Sequence, residues 1–587
     1  MSVGPTGPTA AATPWHGPEP RPAAAALAPR WTRRGSVSLG YRAAGPWWRA
    51  ACLLIALGVL VPIASLVWLA LGSGFAHWSH LAEHVLPQAA WNTAVLLTGV
   101  GTLVLVLGTG CAWLVTAYRF PGSRVLQWAL LLPLAMPTYI VAFAYLDLLH
   151  PIGPVQSALR WLLGFDSPRQ WRLPDLRSMS GAIFLLGFVL YPYVYLTARA
   201  MFMTQPAHLL EAARTLGATR TGAFFRVALP LARPALAVGL SLALLETLND
   251  IGASEFLGVN TLTVAVYTTW ITRSDLAGAA QLACVMLLAV VALVWLERRG
   301  RRHQRYGSTE RMRAMQPRTL HGGAAALAGV LGWLPVLIGF VAPAAYLVWQ
   351  NARRLGQAQG VSPQLIASLL NTLTLALGVT VLAVAAGLIV AWATRNVGSN
   401  PGTARWQARS ATLGYALPGT VLAIGLLTPA LQLDRALATV LGLPGLPLLG
   451  SGVVLVGACA IRFLAMPIGS IESGLARIPP ALEQSSRLLG ETGNGTLARV
   501  HLPLLRPAIA AGALLVFVDA MKELPATLLL RPANFDTLAT WLYAEAVRGT
   551  YEEGAIAALA IVLAGLLPVL LLARQQPGAD LVEELKV

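Results

Sequence analysis

The stretch EAARTLGATRTGAFFRVALPLARP at residues 211–234 decides the fold, because it occurs twice in the chain. The second copy reads QSSRLLGETGNGTLARVHLPLLRP at residues 484–507. Gly217 and Pro230 of the first copy return as Gly490 and Pro503, at a constant offset of 273 residues. The chain is therefore a tandem duplication. Each copy interrupts long apolar runs with polar residues, which predicts a loop exposed to water.

The composition predicts an all-α polytopic membrane protein. Of the 587 residues, 56% are hydrophobic and 11% are charged, whereas a soluble domain carries about 25% charged residues. Apolar runs recur that are long enough to cross a bilayer as helices, and they are too continuous for barrel strands. Twelve spans are predicted, in two sets of six: 50–72, 93–117, 126–148, 179–198, 235–257 and 278–296, then 324–349, 371–394, 409–431, 449–471, 507–530 and 554–573.

The duplication and the composition together predict the domain organisation. Two homologous six-helix halves are flanked by tails and joined by a basic linker. The predicted segments are a disordered cytoplasmic tail (1–48), the first half (49–297) with its loop at 208–234, the cytoplasmic linker (298–322), the second half (323–574) with its loop at 481–507, and a cytoplasmic C-terminal tail (575–587).

The formal net charge of +17 is explained by topology. With both termini in the cytoplasm, most Lys and Arg residues fall in cytoplasmic segments, as the positive-inside bias requires. The run at 298–318 holds eight arginines, and we interpret it as an anchor near anionic lipid. A nucleic-acid partner is the weaker interpretation and is not predicted. Loop 149–178 is an exception, because it is assigned to the outside and carries four arginines.

Motifs for ATP hydrolysis and other enzymatic chemistry are missing from the sequence. A phosphate-binding loop of the form G-x-x-x-x-G-K-[ST] needs a lysine. The only lysines are Lys522 and Lys586, and neither lies in such a loop. The chain is therefore predicted to be no enzyme, to bind no cofactor itself and to hold no firmly assigned metal site.

The pattern E-A-A, then Gly, then L-P-x-x-x-P resembles the EAA loop of permease subunits of ATP-binding-cassette (ABC) importers. DAMKELPATLLLRPANFDTLATWLY at 519–543, LNDIGASEFLGVNTLTVAVYTTW at 248–270 and LLPLAMPTYIVAFAY at 131–145 resemble segments of fused ferric-iron permeases of the binding-protein-dependent, MetI-like family. The resemblance implies a bacterial inner-membrane protein that transports Fe³⁺. It also implies two partners: a pair of cytoplasmic ATPase subunits, which bind the ATP, and a periplasmic iron-binding protein.

The resemblance also implies which residues dock the ATPase subunits. In this family a short coupling helix in the EAA loop fits a cleft of the ATPase. The implied coupling residues are Glu211, Ala212, Ala213 and Gly217 in the first copy and, by the offset, Gln484, Ser485, Ser486 and Gly490 in the second. The second copy departs from the pattern, because Gln-Ser-Ser replaces Glu-Ala-Ala and Glu483 stands one position early.

Two pairs of acidic residues interrupt equivalent apolar spans. Glu246 and Asp250 in the fifth span match Asp519 and Glu523 in the eleventh, each pair on one helix face at i, i+4 spacing. Charged groups within spans are costly, so they suggest function. Carboxylates suit a hard cation, and we expect these four to line its route.

A structural role for the same acids stays open. Lys522 could pair with a carboxylate, other acids could cap broken helix ends, and Arg462 is a candidate to neutralise an acid. Asp147 and Glu255 are further polar residues in or beside spans.

Rival functions also stay open. The cargo could be thiamine, a phosphonate or another small solute. A secondary transporter driven by an ion gradient could also have twelve spans and an internal repeat, although it would not need duplicated coupling loops. A sensory or scaffold protein is a third alternative, for which no appended soluble domain is visible.

Overall fold

The computed structural model describes residues 46–72, 78–205, 207–301, 317–356, 362–395, 401–442 and 447–574. The C-terminal tail, nearly all of the N-terminal tail and most of the basic linker lie outside these residues. The helices of the first half are α1 (Pro46–Gly72), α2 (Trp78–His80), α3 (Leu86–Ala117), α4 (Ser123–Ala129), α5 (Thr138–Leu148), α6 (Pro154–Leu163), α7 (Met179–Thr204), α8 (Ala207–Thr215), α9 (Arg220–Ala223), α10 (Leu229–Asn249), α11 (Gly252–Phe256), α12 (Leu262–Ile271) and α13 (Leu276–Arg301).

The second half repeats this order. Its helices are α14 (Gly322–Val336), α15 (Ala342–Gly356), α16 (Pro363–Arg395), α17 (Pro401–Thr412), α18 (Gly419–Leu441), α19 (Pro447–Ser451), α20 (Val453–Phe463), α21 (Ala465–Ala476), α22 (Pro480–Leu488), α23 (Gly493–Thr496), α24 (Leu502–Met521), α25 (Pro525–Leu530), α26 (Leu538–Arg548) and α27 (Tyr551–Arg574). Four π-helical turns (Leu81–Val85, Phe224–Ala228, Leu337–Val341, Leu497–His501) and two 3₁₀ turns (Leu132–Ala135, Leu413–Ala416) join neighbouring helices.

The all-α polytopic fold is confirmed. Among the described residues, ten helical stretches are long and apolar enough to cross a membrane, and two bent pairs bring the total to twelve. One bent pair joins Ser123–Ala135 to Thr138–Leu148 at 91°, and the other joins α20 to α21 at 47°. Pro137 lies at the first bend and Pro418 at the matching break before α18. Proline there removes a backbone donor and stops the preceding helix.

Two spans that the sequence predicted as continuous are interrupted. The predicted span 235–257 ends as a helix at Asn249, and the predicted span 507–530 ends at Met521. The chain then turns into the short helices α11 and α25. Each short helix begins beside an acidic residue that caps its free N–H groups, which is the local reason for the break.

The two halves repeat their polar contacts as well as their helix order. The Asn92 side chain donates to the Asn260 carbonyl at 3.1 Å, and Asn371 donates to the Asp536 carbonyl at 3.0 Å. The next residue in each helix is a threonine whose hydroxyl accepts a backbone N–H. Thr93 in α3 accepts the N–H of the first residue of α12 at 2.9 Å, and Thr372 in α16 accepts that of the first residue of α26 at 2.8 Å. The Asn-Thr pairs therefore hold the following elements in equivalent places.

The halves interlock through their first spans. Helix α1 packs against α18 of the second half, and α15 packs against α5 of the first. Gly425 of α18 lies so close to the carbonyl of Pro62 that a Cβ there would be 2.2 Å from its oxygen. Small residues permit this kind of close helix contact within a membrane. The hydroxyl of Tyr145 donates to the Ile338 carbonyl at 2.7 Å in the reciprocal contact.

Two short strands and two half-buried acids add further ties between the halves. Tyr118–Arg119 (β1) pairs in parallel with Arg318–Thr319 (β2) at the end of the linker. The Tyr543 hydroxyl donates to Glu255 at 2.5 Å, and the Tyr346 hydroxyl donates to Asp147. Glu255 and Asp147 therefore have partners in the opposite half.

Loop 149–178 folds around α6, and one of its arginines forms hydrogen bonds within the loop. Arg160 is buried and donates to the Pro151 carbonyl at 2.8 Å and to the Ser157 hydroxyl at 3.0 Å. Because its guanidinium is bonded within the loop, Arg160 contributes to the folding of the loop. Its presence in a segment assigned to the outside therefore has a structural reason.

Candidate functional site

A central cavity is built from equivalent segments of both halves. Its volume is about 130 Å³. The segments that line it are the bends of spans three and nine, one face of α7 and of α20, and the breaks after α10 and α24. The residues that line it include Val189, Tyr193, Glu246, Asn249, Asp250, Tyr415, Arg462, Asp519, Lys522 and Glu523.

All four acids proposed for the pathway lie at the cavity wall, and two of them cap helices. Asp250 accepts the backbone N–H of Ala253 at 2.7 Å, at the start of α11. Glu523 accepts the N–H of Ala526 at 3.0 Å, at the start of α25. Both residues are more than nine-tenths buried. The capping role weighed from the sequence is therefore present for Asp250 and Glu523.

The two cations of the cavity are each paired with an acid. Arg462 Nη1 lies 2.8 Å from Glu523 Oε1, with both side chains less than one-tenth exposed. Lys522 Nζ lies 2.8 Å from Asp519 Oδ1, and these side chains are 30% and 25% exposed. Isolated charges in such a place would be strongly disfavoured. The pairs therefore stabilise the breaks at which these residues lie.

Glu246 differs from the other three acids. It is partly exposed at the cavity wall, and among the described residues it forms no hydrogen bond or ion pair. Arg462 and Lys522 act on it electrostatically from across the cavity, but each of these cations already has its own acid.

Sequence reasoning did not single out Tyr193, Tyr415 or Asn249, although all three line the cavity. Their only signal is a polar group within an apolar run, and such residues are common in spans. Among the described residues, no group of three His, Cys, Asp or Glu side chains is arranged to hold a metal ion.

The repeated loops have the same backbone. Gly217 and Gly490 follow the short helices α8 and α22 with φ values of +87° and +86°, a left-handed conformation that only glycine adopts readily. Two residues later, Thr219 and Thr492 cap α9 and α23, each accepting a glycine N–H at 3.1 Å. The constant offset in the sequence therefore reflects the same local structure in both halves: a short helix, a glycine turn and a second short helix.

The first loop presents most of its proposed coupling residues to solvent. Glu211 and Ala212 are exposed, and Ala213 is half-buried. Leu216 at the tip is 87% exposed, and its counterpart Leu489 is 85% exposed. Both loop tips therefore present a large apolar side chain to solvent.

The second loop presents a different surface. Gln484 and Ser485 are exposed, but Ser486 is buried against Thr496, with 3.0 Å between their hydroxyl oxygens. Glu483 is also buried: its carboxylate accepts from Arg395 Nε at 2.6 Å and lies 3.0 Å from His501 Nε2. Glu483 is therefore an internal anchor of α22, and it does not stand in for the exposed Glu211.

The second loop is tied to the neighbouring helix ends. Arg395, at the end of α16, also donates to the carbonyls of Leu475 and Ile478, the latter at 3.1 Å. Trp48, near the start of α1, donates to Asn494 in α23 at 2.9 Å. The N-terminal end of α1 and the second loop therefore lie at the same end of the helix bundle.

Duplicated helical halves around a central cavity, with a repeated loop in each half, define a membrane permease. The family of binding-protein-dependent transport system inner membrane components matches residues 104–303. The chain belongs to this family, the permease subunits of ABC importers.

Curated relatives agree with this class. The chain is 23% identical over 530 residues to Fe(3+)-transport system permease protein FbpB 2 of Haemophilus influenzae, which covers 90% of the chain and 97% of that protein. It is 28% identical over 249 residues to the sulfate transport system permease protein CysT of Escherichia coli, a match that covers 41% of the chain and 87% of that protein. It is 29% identical over 228 residues to the molybdenum transport system permease protein ModB of Escherichia coli, a match that covers 36% of the chain and 96% of that protein.

Proposed function

We propose that this permease forms the membrane pathway for ferric iron, delivered by a periplasmic binding protein and driven by cytoplasmic ATPase subunits. The cargo assignment rests on one observation: the central cavity is lined by more acidic than basic side chains. Four carboxylates line it, against one arginine and one lysine. Fe³⁺ is a hard cation that prefers oxygen ligands, and a cavity with excess carboxylate favours a cation over an anion.

The extent of the FbpB 2 match supports the same cargo. That relative aligns with both halves of the chain, whereas the sulfate and molybdenum relatives cover 41% and 36% of it. Sulfate and molybdate are anions, and repulsion from unpaired carboxylates opposes their passage. An oxyanion is therefore the second candidate cargo, supported by those two relatives and disfavoured by the cavity.

We assign energy coupling to the two repeated loops. In this assignment α8 and α22 face the cytoplasm and each docks one ATPase subunit, with Leu216 and Leu489 buried in the contact. The chain itself supplies the pathway, and its partners hydrolyse ATP. A docked subunit that moves α8 or α22 would move α10 or α24 with it. Helix α9 continues through a π-helical turn into α10, and α23 does the same into α24, so only a short capped turn separates α8 and α22 from these continuous helices.

The test is transport by the reconstituted complex. The permease, its ATPase subunits and the iron-loaded binding protein are combined in liposomes, and radioactive iron uptake is measured with and without ATP. We expect uptake that requires ATP and the binding protein. Uptake driven by a proton gradient without ATP would refute the ABC mechanism. ATP-driven uptake of sulfate, molybdate, thiamine or a phosphonate, without uptake of iron, would refute the cargo.

A further inference from the structure

The two walls of the cavity carry different charge, although they arose from one duplicated segment. Four pairs of lining positions are related by the offset of 273: Val189 with Arg462, Glu246 with Asp519, Asn249 with Lys522, and Asp250 with Glu523. The acids occur in both halves. The two cations occur only in the second half, where the first has valine and asparagine.

The second-half wall is neutralised within itself. Arg462 pairs with Glu523, and Lys522 pairs with Asp519, each at 2.8 Å. Every charged side chain that this wall contributes to the cavity has an opposite charge in contact with it. A passing cation would have to break one of these contacts to bind there.

The acids of the first-half wall form no ion pair within the described part of the chain. Asp250 Oδ1 accepts the N–H of Ala253, and Asp250 Oδ2 is buried without a hydrogen-bond partner among the described residues. The Glu246 carboxylate has no hydrogen bond or ion pair within the described part of the chain. Beside it, Asn249 is 6% exposed, and its side-chain oxygen is buried without a hydrogen-bond partner among the described residues. Leaving such groups unsatisfied is costly, so their presence points to a ligand.

We infer that the transported cation crosses the cavity along the first-half wall, with the Glu246 carboxylate as its contact and the Asn249 side-chain oxygen beside it. The second-half wall holds the helix breaks in place and does not bind cargo. This inference rests on the proposed function, because it requires a cationic cargo. Two oxygen donors form an incomplete coordination shell for a hard cation, which suits transient contact during transport.

The first test removes the contact. In liposomes containing the complete complex, Glu246→Gln is expected to lower ATP-driven iron uptake at least about tenfold, equivalent to about 1.4 kcal/mol in the barrier. Glu246→Asp keeps the charge and is expected to retain more uptake than the glutamine variant. The matched control is Glu472→Gln, which removes an exposed acid of α21 outside the cavity and is expected to transport like the wild type.

The second test supplies the missing cation. Asn249→Lys copies the second half and places an ammonium one helical turn from Glu246, so uptake is also expected to fall at least about tenfold. The reciprocal Lys522→Asn copies the first half at this one position, while Arg462 remains, and it is expected to lower uptake less than Asn249→Lys does. Co-purification of each variant with the ATPase subunits shows that the complex has assembled.

These outcomes separate the inference from the proposed function. If the wild-type complex transports iron and Glu246→Gln and Asn249→Lys transport it equally well, the inference is overturned and the proposed function stands. Loss of uptake in Lys522→Asn but not in Glu246→Gln would assign the route to the opposite wall. If the wild-type complex takes up no iron at all, the proposed function itself fails.

Discussion

The anchor of α22 in the second repeated loop gives the sharpest prediction about local stability. Glu483→Ala removes the acid that joins α22 to Arg395 and His501. His501 is completely buried, whereas the Arg395 side chain is 19% exposed and keeps two backbone carbonyls as partners. Removing one partner of a fully buried ion pair costs about 3–5 kcal/mol. Partial exposure and the remaining carbonyls reduce this, and we expect about 2 kcal/mol.

The assay is amide hydrogen exchange of the purified permease. Because 1.36 kcal/mol corresponds to a factor of ten, a loss of about 2 kcal/mol in local stability speeds exchange in α22 by about 30-fold. Exchange in α8 is expected to stay unchanged. The matched control is Glu211→Ala in α8, since Glu211 is exposed and its removal leaves no buried charge unpaired.

A second variant tests the reason for the effect. At the offset of 273, Glu483 and His501 correspond to Leu210 and Ala228, both buried in the first half. Glu483→Leu combined with His501→Ala therefore recreates the apolar contact of the first half, and it is expected to restore part of the lost protection. If the amides of α22 exchange at the wild-type rate in the Glu483→Ala variant, the proposed role of Glu483 as an anchor of α22 is refuted.

Three further predictions concern the loops and the cavity. Gly217→Ala and Gly490→Ala each force a Cβ into left-handed backbone, and each is expected to destabilise its loop by about 1–2 kcal/mol, measured by hydrogen exchange. Thr492→Ala removes the cap of α23 and is expected to cost about 1 kcal/mol, measured as faster exchange in its first turn. Arg462→Met leaves Glu523 buried without its cation, and is expected to cost about 3–5 kcal/mol and to lower the thermal stability of the purified permease.

The glycine predictions and the arginine prediction each have a control. Gly457→Ala lies within α20 with open space around its Cβ position and no left-handed backbone, so it is expected to be neutral or slightly stabilising. Combining Arg462→Met with Glu523→Gln removes both charges and should recover stability relative to Arg462→Met alone. Equal effects of Gly457→Ala and Gly490→Ala, or no recovery in the double variant, would contradict the reasoning.

The fold was predictable to the extent that it depends on local pattern. Apolar length predicts the spans, and the repeated glycine and proline positions predict equal loops in both halves. The breaks after Asn249 and Met521 were not predictable as chain breaks, because the hydropathy of the run continues past them. What ends each helix is a capping contact between a side chain and the backbone three residues on, which average hydropathy does not register.

The candidate site was predictable only in part. The offset brought the four acids to attention as two matched pairs, and the structure places all of them at one cavity. The inward position of Glu483 was not foreseen, because its partners Arg395 and His501 lie 88 and 18 residues away. Whether a given acid touches the cargo stays a prediction for the transport measurements.

The sequence by itself determined the duplication, the helical membrane class and the two repeated loops, because these follow from periodicity, apolar length and glycine conformation within short segments. Only the tertiary structure decided which charges are neutralised. Arg462 and Glu523 are 61 residues apart in the chain and meet because α20 packs beside the break after α24. Ion pairing depends on distances of a few ångströms between separate helices. Acids at equivalent positions in the two halves therefore have different partners, and only the packed chain reveals this difference.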